Sequence, residues 1–176
     1  MKKLIIAAAI VCVAALSQAG TVKWSTMTGL VQAGKTTDMV DGGLLQLIAV
    51  AQSTEAKDVW ASVRDGSFTA IQTATTGSDG KIPTTSFSYT DGDYSFYTIL
   101  VDGDTFFISG ALNKNVSTMG AVTLSYSLKA QSNSGIINDV SKGYAGAGWY
   151  SAVPEPTSGL LLLLGVAGLA LCRRRA

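Results

Sequence analysis

Thr85-Ser86-Phe87-Ser88-Tyr89-Thr90-Asp91-Gly92-Asp93-Tyr94-Ser95-Phe96-Tyr97-Thr98-Ile99-Leu100-Val101-Asp102-Gly103-Asp104-Thr105-Phe106-Phe107-Ile108-Ser109 contains three runs rich in β-branched and aromatic residues, separated by two Asp-Gly-Asp triplets. Such side chains fit a pleated, half-buried surface, and Asp-Gly supplies the positive φ that a tight reversal needs. The stretch therefore predicts strands at Thr85 to Tyr89, Tyr94 to Val101 and Thr105 to Ser109, joined by turns.

The same alternation of apolar runs with Gly, Asp, Ser and Asn extends to both sides. It predicts further strands at Thr21 to Thr26, Leu44 to Ala51, Val59 to Val63, Phe68 to Thr75, Ala121 to Lys129 and Tyr144 to Ser151. A helix competes with a strand only over Leu44 to Lys57, where Leu44, Leu45, Leu47, Ile48 and Ala51 can share a helical face. The expected fold is all-β: one antiparallel β-sandwich or jelly-roll-like domain, with a signal helix before it and a transmembrane helix after it.

Charge and cysteine usage narrow the function. Residues 20–153 hold seven Lys and one Arg against ten Asp and one Glu, a net −3, and their only basic residues are scattered, which argues against nucleic-acid binding. Both cysteines, Cys12 and Cys172, fall in the terminal apolar segments, so neither a disulfide nor a thiolate metal site is expected in the central domain. The chain has no histidine, which removes Ser-His-Asp and Cys-His catalysis and His-based metal centres.

The ends divide the chain into residues 1–19, 20–152 and 153–176. Lys2 and Lys3 precede the apolar run Leu4 to Leu16, and Ser17-Gln18-Ala19 presents small residues at the positions a signal peptidase reads, with Gly20 following. This predicts export through the Sec translocon, with Ser17 and Ala19 marking the cleavage site. At the other end Pro154-Glu155-Pro156 forbids helix, Gly159 to Cys172 is uncharged, and Arg173, Arg174 and Arg175 hold the end of that segment on the cytoplasmic side.

That order resembles the PEP-CTERM sorting domain, found on exported proteins of Gram-negative bacteria. The resemblance implies processing by exosortase, a membrane transpeptidase-like enzyme, with Pro154, Glu155 and Pro156 as recognition residues and Arg173 to Arg175 as the stop cluster. It further implies an inner-membrane-anchored intermediate, followed by release to the cell surface or an exopolysaccharide matrix. It carries no implication for the activity of residues 20–152.

Four features of the central domain bear on activity. Asp91, Asp93, Asp102 and Asp104 supply clustered oxygens of the kind Ca²⁺ takes, and the same carboxylates are the only evident candidates for a glycosidase pair, although solvated turns explain them as well. Gly29-Leu30-Val31-Gln32-Ala33-Gly34-Lys35-Thr36 matches the phosphate-binding string, with Ile99-Leu100-Val101-Asp102 as its usual apolar companion. That chemistry needs a helix opening after the loop, whereas Gly42-Gly43 follows within a few residues, so no cofactor is expected. Trp24, Trp60 and Trp149, with Tyr94, Tyr97, Tyr126, Tyr144 and Tyr150, either fill the core or form a platform for sugar rings. The expected function is a non-catalytic surface or matrix protein; the alternative is a carbohydrate-binding module acting on exopolysaccharide or glycans.

Overall fold

The computed structural model describes residues 19–132 and 136–151. They form ten strands: β1 (Ala19–Thr28), β2 (Leu44–Ala51), β3 (Gln72–Thr75), β4 (Thr85–Thr90), β5 (Gly92–Asp102), β6 (Thr105–Ile108), β7 (Leu112–Val116), β8 (Ala121–Ser127), β9 (Ile137–Asp139) and β10 (Gly148–Ser151). Helix α1 (Ala56–Arg64) follows β2, and the short α2 (Leu128–Gln131) follows β8.

The strands make two sheets. One has the order β4-β1-β8; the other runs β3-β2-β5-β6-β10-β9, with β7 pairing the first half of β5. Alternation along β1 turns Val22 and Trp24 inward and leaves Thr21 and Lys23 in solvent, and β8 inserts Leu124 and Tyr126 beside them. Leu45, Leu47, Phe96, Leu100, Phe107 and Trp149 of the larger sheet meet these side chains, so this core lies between the sheets. The opposite face of the larger sheet carries Ile48, Tyr97, Ile99, Phe106, Ile108 and Tyr150, and α1 covers it with Val59, Trp60 and Val63. That face would otherwise expose a large apolar area, at a cost near 25 cal/mol per Å².

Polar groups inside the sandwich fix the stacking of the sheets. Trp24 Nε1 donates to Thr98 Oγ1 at 3.1 Å across the core, and Trp149 Nε1 donates to the Val31 carbonyl at 2.8 Å. The Ser109 hydroxyl accepts from the Thr98 amide at 2.8 Å, while the Ser109 amide returns a bond to the Thr98 carbonyl at 2.9 Å. Buried donors left unpaired cost free energy, so the Trp24 bond selects one sheet-to-sheet position, the Trp149 bond ties the larger sheet to the loop after β1, and the Thr98–Ser109 pair locks β5 to the end of β6.

The sandwich, its core and the central three-strand run agree with expectation, and three local expectations do not. Pairing is not purely antiparallel: β1 runs parallel to β8, and β9 parallel to β10. Val59 to Val63 lies in α1, where Val59, Trp60 and Val63 share one helical face, whereas Leu44 to Ala51, where a helix competed, is the expected strand, β2. Both outcomes follow from place: β2 is inserted between β3 and β5 and buried, whereas residues 56–64 have one apolar stripe and a polar remainder. Of the five Asp-Gly pairs, Asp102-Gly103 turns the β5–β6 hairpin, but Asp91-Gly92 leads from β4 in one sheet into β5 of the other, with Gly92 and Asp93 already in β5, and Asp65-Gly66 ends α1, with the Gly66 amide donating to the Val63 carbonyl at 3.2 Å. The signal and transmembrane helices lie outside the described residues. Among the described residues no helix is long and apolar enough to cross a membrane.

Trp24→Phe keeps an aromatic ring but removes the donor to Thr98, and should lower stability by about 1–2 kcal/mol. Gly80 has φ 70°, and an added Cβ would meet the Leu30 carbonyl oxygen at 2.7 Å, so Gly80→Ala should cost about 2 kcal/mol or more. Denaturant midpoints of the two variants check both values; an unchanged midpoint for Trp24→Phe would contradict the inter-sheet bond.

Candidate functional site

Strand β5 separates the four aspartates. Asp93 lies near its start and Asp102 at its end, nine steps apart, which in a strand of about 3.3 Å per residue is about 30 Å. At the first end Asp93 accepts from Asn115 Nδ2 at 2.8 Å. At the far end Asp102, Asp104 and the intervening Gly103 are exposed. Asp91, Asp93, Asp102 and Asp104, the calcium candidates, thus do not form one cluster, and among the described residues no group of three or more His, Cys, Asp or Glu side chains converges. The two turns are also too far apart for a glycosidase pair, which needs roughly 5–9.5 Å.

The phosphate-binding string forms no such loop. Beyond β1 the chain doubles back, Val31 bridges Met39, and the Gln32 amide donates to the Asp38 carbonyl at 2.9 Å. Lys35 pairs loosely with Asp38 in solvent, and the next regular element is β2, so no helix N-terminus faces the loop.

Trp24, Trp60, Trp149, Tyr97, Tyr126 and Tyr150 are buried, and Tyr94 and Tyr144 are half-buried. Trp60 stands edge-on to Tyr150 at 5.6 Å between centroids and carries the Arg64 guanidinium over its ring at 5.2 Å. The indoles serve packing, and none offers a free face to a sugar. Burial pushes the Tyr126 phenol well above its ordinary value, and its hydroxyl has no hydrogen-bond partner among the described residues. Burial likewise raises Tyr97, Tyr144 and Tyr150.

What the structure does bring together lies at the β5–β6 turn end of the larger sheet. Leu44 at the start of β2 and Val101 near the end of β5 are 52% and 48% exposed. With Gln32, Asp41, Gly42 and Asp102 they line a cleft of about 510 Å³. On the same rim, Ser151 at the end of β10 pairs with Thr105 of β6 on one side and Asp139 of β9 on the other. Asp139 accepts from the Ser141 amide at 2.8 Å, and that bond, aided by Lys142, holds its carboxyl below the usual carboxylate range. The rim thus carries Asp41, Asp102, Asp104 and Asp139 against Lys142, while Lys35 and Lys81 of the adjoining loops are paired with Asp38 and Asp79, and the chain leaves the sandwich there.

Residues 152–175, which begin directly after Ser151, match the family model for the PEP-CTERM protein-sorting motif. This chain carries a PEP-CTERM sorting signal. Pro154, Glu155, Pro156 and Arg173 to Arg175 all fall inside the matched span. Those residues, like Ser17, lie outside the described part of the structure. Ala19, the other expected signal-peptidase residue, opens β1, and Gly20 is buried beside it. Neither a curated protein nor a solved structure matches the chain. That β10 ends at an acidic rim had no signal in the sequence, because Asp102 meets Thr105, and Ser151 meets Thr105 and Asp139, only through sheet register.

A tyrosine raised in the folded state contributes stability that is present below the unfolded value near pH 10 and is lost as pH rises toward the folded value, because only the unfolded chain releases the proton. Stability should therefore fall from about pH 10 upward. Tyr126→Phe should flatten that decline, as read from urea midpoints across pH 8–12. An equal decline in the variant would assign the effect to the other tyrosines.

Proposed function

We propose that the protein is an exported cell-surface or extracellular-matrix component whose sandwich is a non-catalytic structural passenger. In this reading a signal peptide directs it into the Sec translocon, and signal peptidase releases the N-terminus at Ala19. The apolar segment Gly159 to Cys172 then holds it at the inner membrane until exosortase cuts near Pro154-Glu155-Pro156. The observation that carries this is the PEP-CTERM motif at residues 152–175, which follows the last strand without an intervening residue. The N-terminal sequence has the charged, apolar and small-residue order of a secretory signal, which supports the same route.

A structural passenger is favoured over a carbohydrate-binding module because the three indoles, which could either fill the core or form a sugar platform, are buried. A paired-aspartate hydrolase lacks the carboxylate spacing that its mechanism needs across the two turns. The absence of histidine is in keeping with a passenger that performs no acid–base chemistry near neutral pH. Exopolysaccharide enters as the matrix that receives the product.

Mass spectrometry of the surface form should find no peptide containing Arg173 to Arg175, whereas cells lacking the sorting peptidase should retain it. Retention of the arginines in the surface form of normal cells would replace transient anchoring with a permanent anchor.

A further inference from the structure

Between the sandwich and the sorting motif there is almost no chain. Ser151 is held on both sides, by β6 and β9, and the residues before it are deeply fixed: Trp149 is 1% and Tyr150 0% exposed. The Trp149 indole donates to the Val31 carbonyl at 2.8 Å, and Phe106 stacks on Tyr150 at 5.3 Å. β10 therefore cannot peel away to lengthen the tether without opening both cores. Pro154 is the third residue after Ser151, and a fully extended chain spans at most about 3.6 Å per residue, so Pro154 lies within about 11 Å of the sheet. Gly159, where the apolar segment starts, is within about 29 Å by the same limit.

A single helix with its side chains is about 10–12 Å across. An enzyme that closes around Pro154-Glu155-Pro156 thus has no room to do so without abutting the rim from which the chain emerges. That rim is acidic, with Asp41, Asp102 and Asp104 exposed and Asp139 next to Ser151, against Lys142. Anionic lipid headgroups repel such a surface, whereas a basic protein surface complements it.

Resting on the exosortase reading above, we propose that the β5–β6 end of the sandwich, centred on Asp102-Gly103-Asp104 and Asp139, is a docking face for a basic surface of the membrane-embedded sorting peptidase. The passenger is then part of the substrate, and the Pro-Glu-Pro tail is presented from a fixed platform. Rim charge should govern the encounter with the enzyme more than the chemistry that follows.

Pulse-chase of C-terminal trimming, with the full chain in cells that contain the peptidase, tests this. The Asp102→Lys/Asp104→Lys double variant should be trimmed at least about threefold more slowly, and Asp102→Asn/Asp104→Asn, which keeps the turn chemistry, should slow by a smaller factor. Glu55→Lys/Asp58→Lys, at the start of α1 and the other end of the sheet, should be trimmed at the wild-type rate. A flexible twelve-residue Gly/Ser insertion between Ser151 and Ala152 should erase the sensitivity to Asp102 and Asp104. Protease resistance of each passenger confirms that it is folded. Wild-type trimming of both Asp102/Asp104 variants overturns the proposal, and faster trimming overturns it in favour of repulsion between the rim and an anionic bilayer. Slowing that persists with the insertion overturns it too, since the effect would not depend on proximity. If Pro154→Ala/Glu155→Ala/Pro156→Ala is trimmed like wild type, the processing reading itself fails and the docking face fails with it.

Discussion

Strand β5 is buried on both of its faces and paired along both of its edges, and the positions of the other elements depend on that double confinement. Over Ser95 to Leu100 every side chain is buried, with Phe96, Thr98 and Leu100 turned to the sandwich core and Tyr97 and Ile99 turned to α1. A one-residue slip of β5 would exchange the two sets and drive Thr98 away from the Trp24 indole. The register is fixed on one edge by β2 and on the other by β7 and β6 in succession. Because β6 fixes β10 and β10 ends at Ser151, the place where the chain leaves the domain is a distant consequence of that register.

A domain held in this way accounts for where its aromatic residues go. Neither cysteine lies among the described residues, so the described sandwich has no covalent bridge, and large rings must supply the buried area. Trp24 and Trp149 fill the space between the sheets, each with its indole nitrogen satisfied, while Trp60 seals α1 onto the other face beside Phe106 and Tyr150. The smaller sheet is apolar only on its inner side. Outside it presents Lys23, Ser86, Ser88 and Thr123, and hydroxyl pairs such as Ser25 with Ser125 join β1 to β8. The charges concentrate instead on turns and rims, where solvation costs nothing.

Much of the fold was legible in the residues themselves. Thr85 to Ser109 alternates or runs apolar in a way that only paired strands satisfy, and Asp102-Gly103 marked its hairpin. The misread elements share a cause. Val59 and Val63 favour strands locally, but as part of Ala56–Arg64 they form the one apolar stripe that can cover the outer face of the larger sheet. β7 and β9 escaped notice because Leu112–Val116 is mostly polar and Ile137–Asp139 is three residues long, so their strand character comes from the partners β5 and β10. The sorting segment was readable in full, since proline spacing, an uncharged run and an arginine cluster act through one-dimensional order.

The sequence by itself determined what depends on neighbours along the chain: the β-rich class, the turn glycines, the lack of histidine chemistry and the PEP-CTERM signal. Only the tertiary structure decided what depends on neighbours in space. It set the two Asp-Gly-Asp triplets at opposite ends of one extended strand, Asp93 and Asp102 about 30 Å apart, so that they cannot share an ion. It turned the tryptophans inward, and through register it set Asp102 and Asp139 on the rim where β10 ends at Ser151. Sheet pairing joins residues by hydrogen-bond register and not by sequence distance, which is why the rim could not be read before the strands were placed.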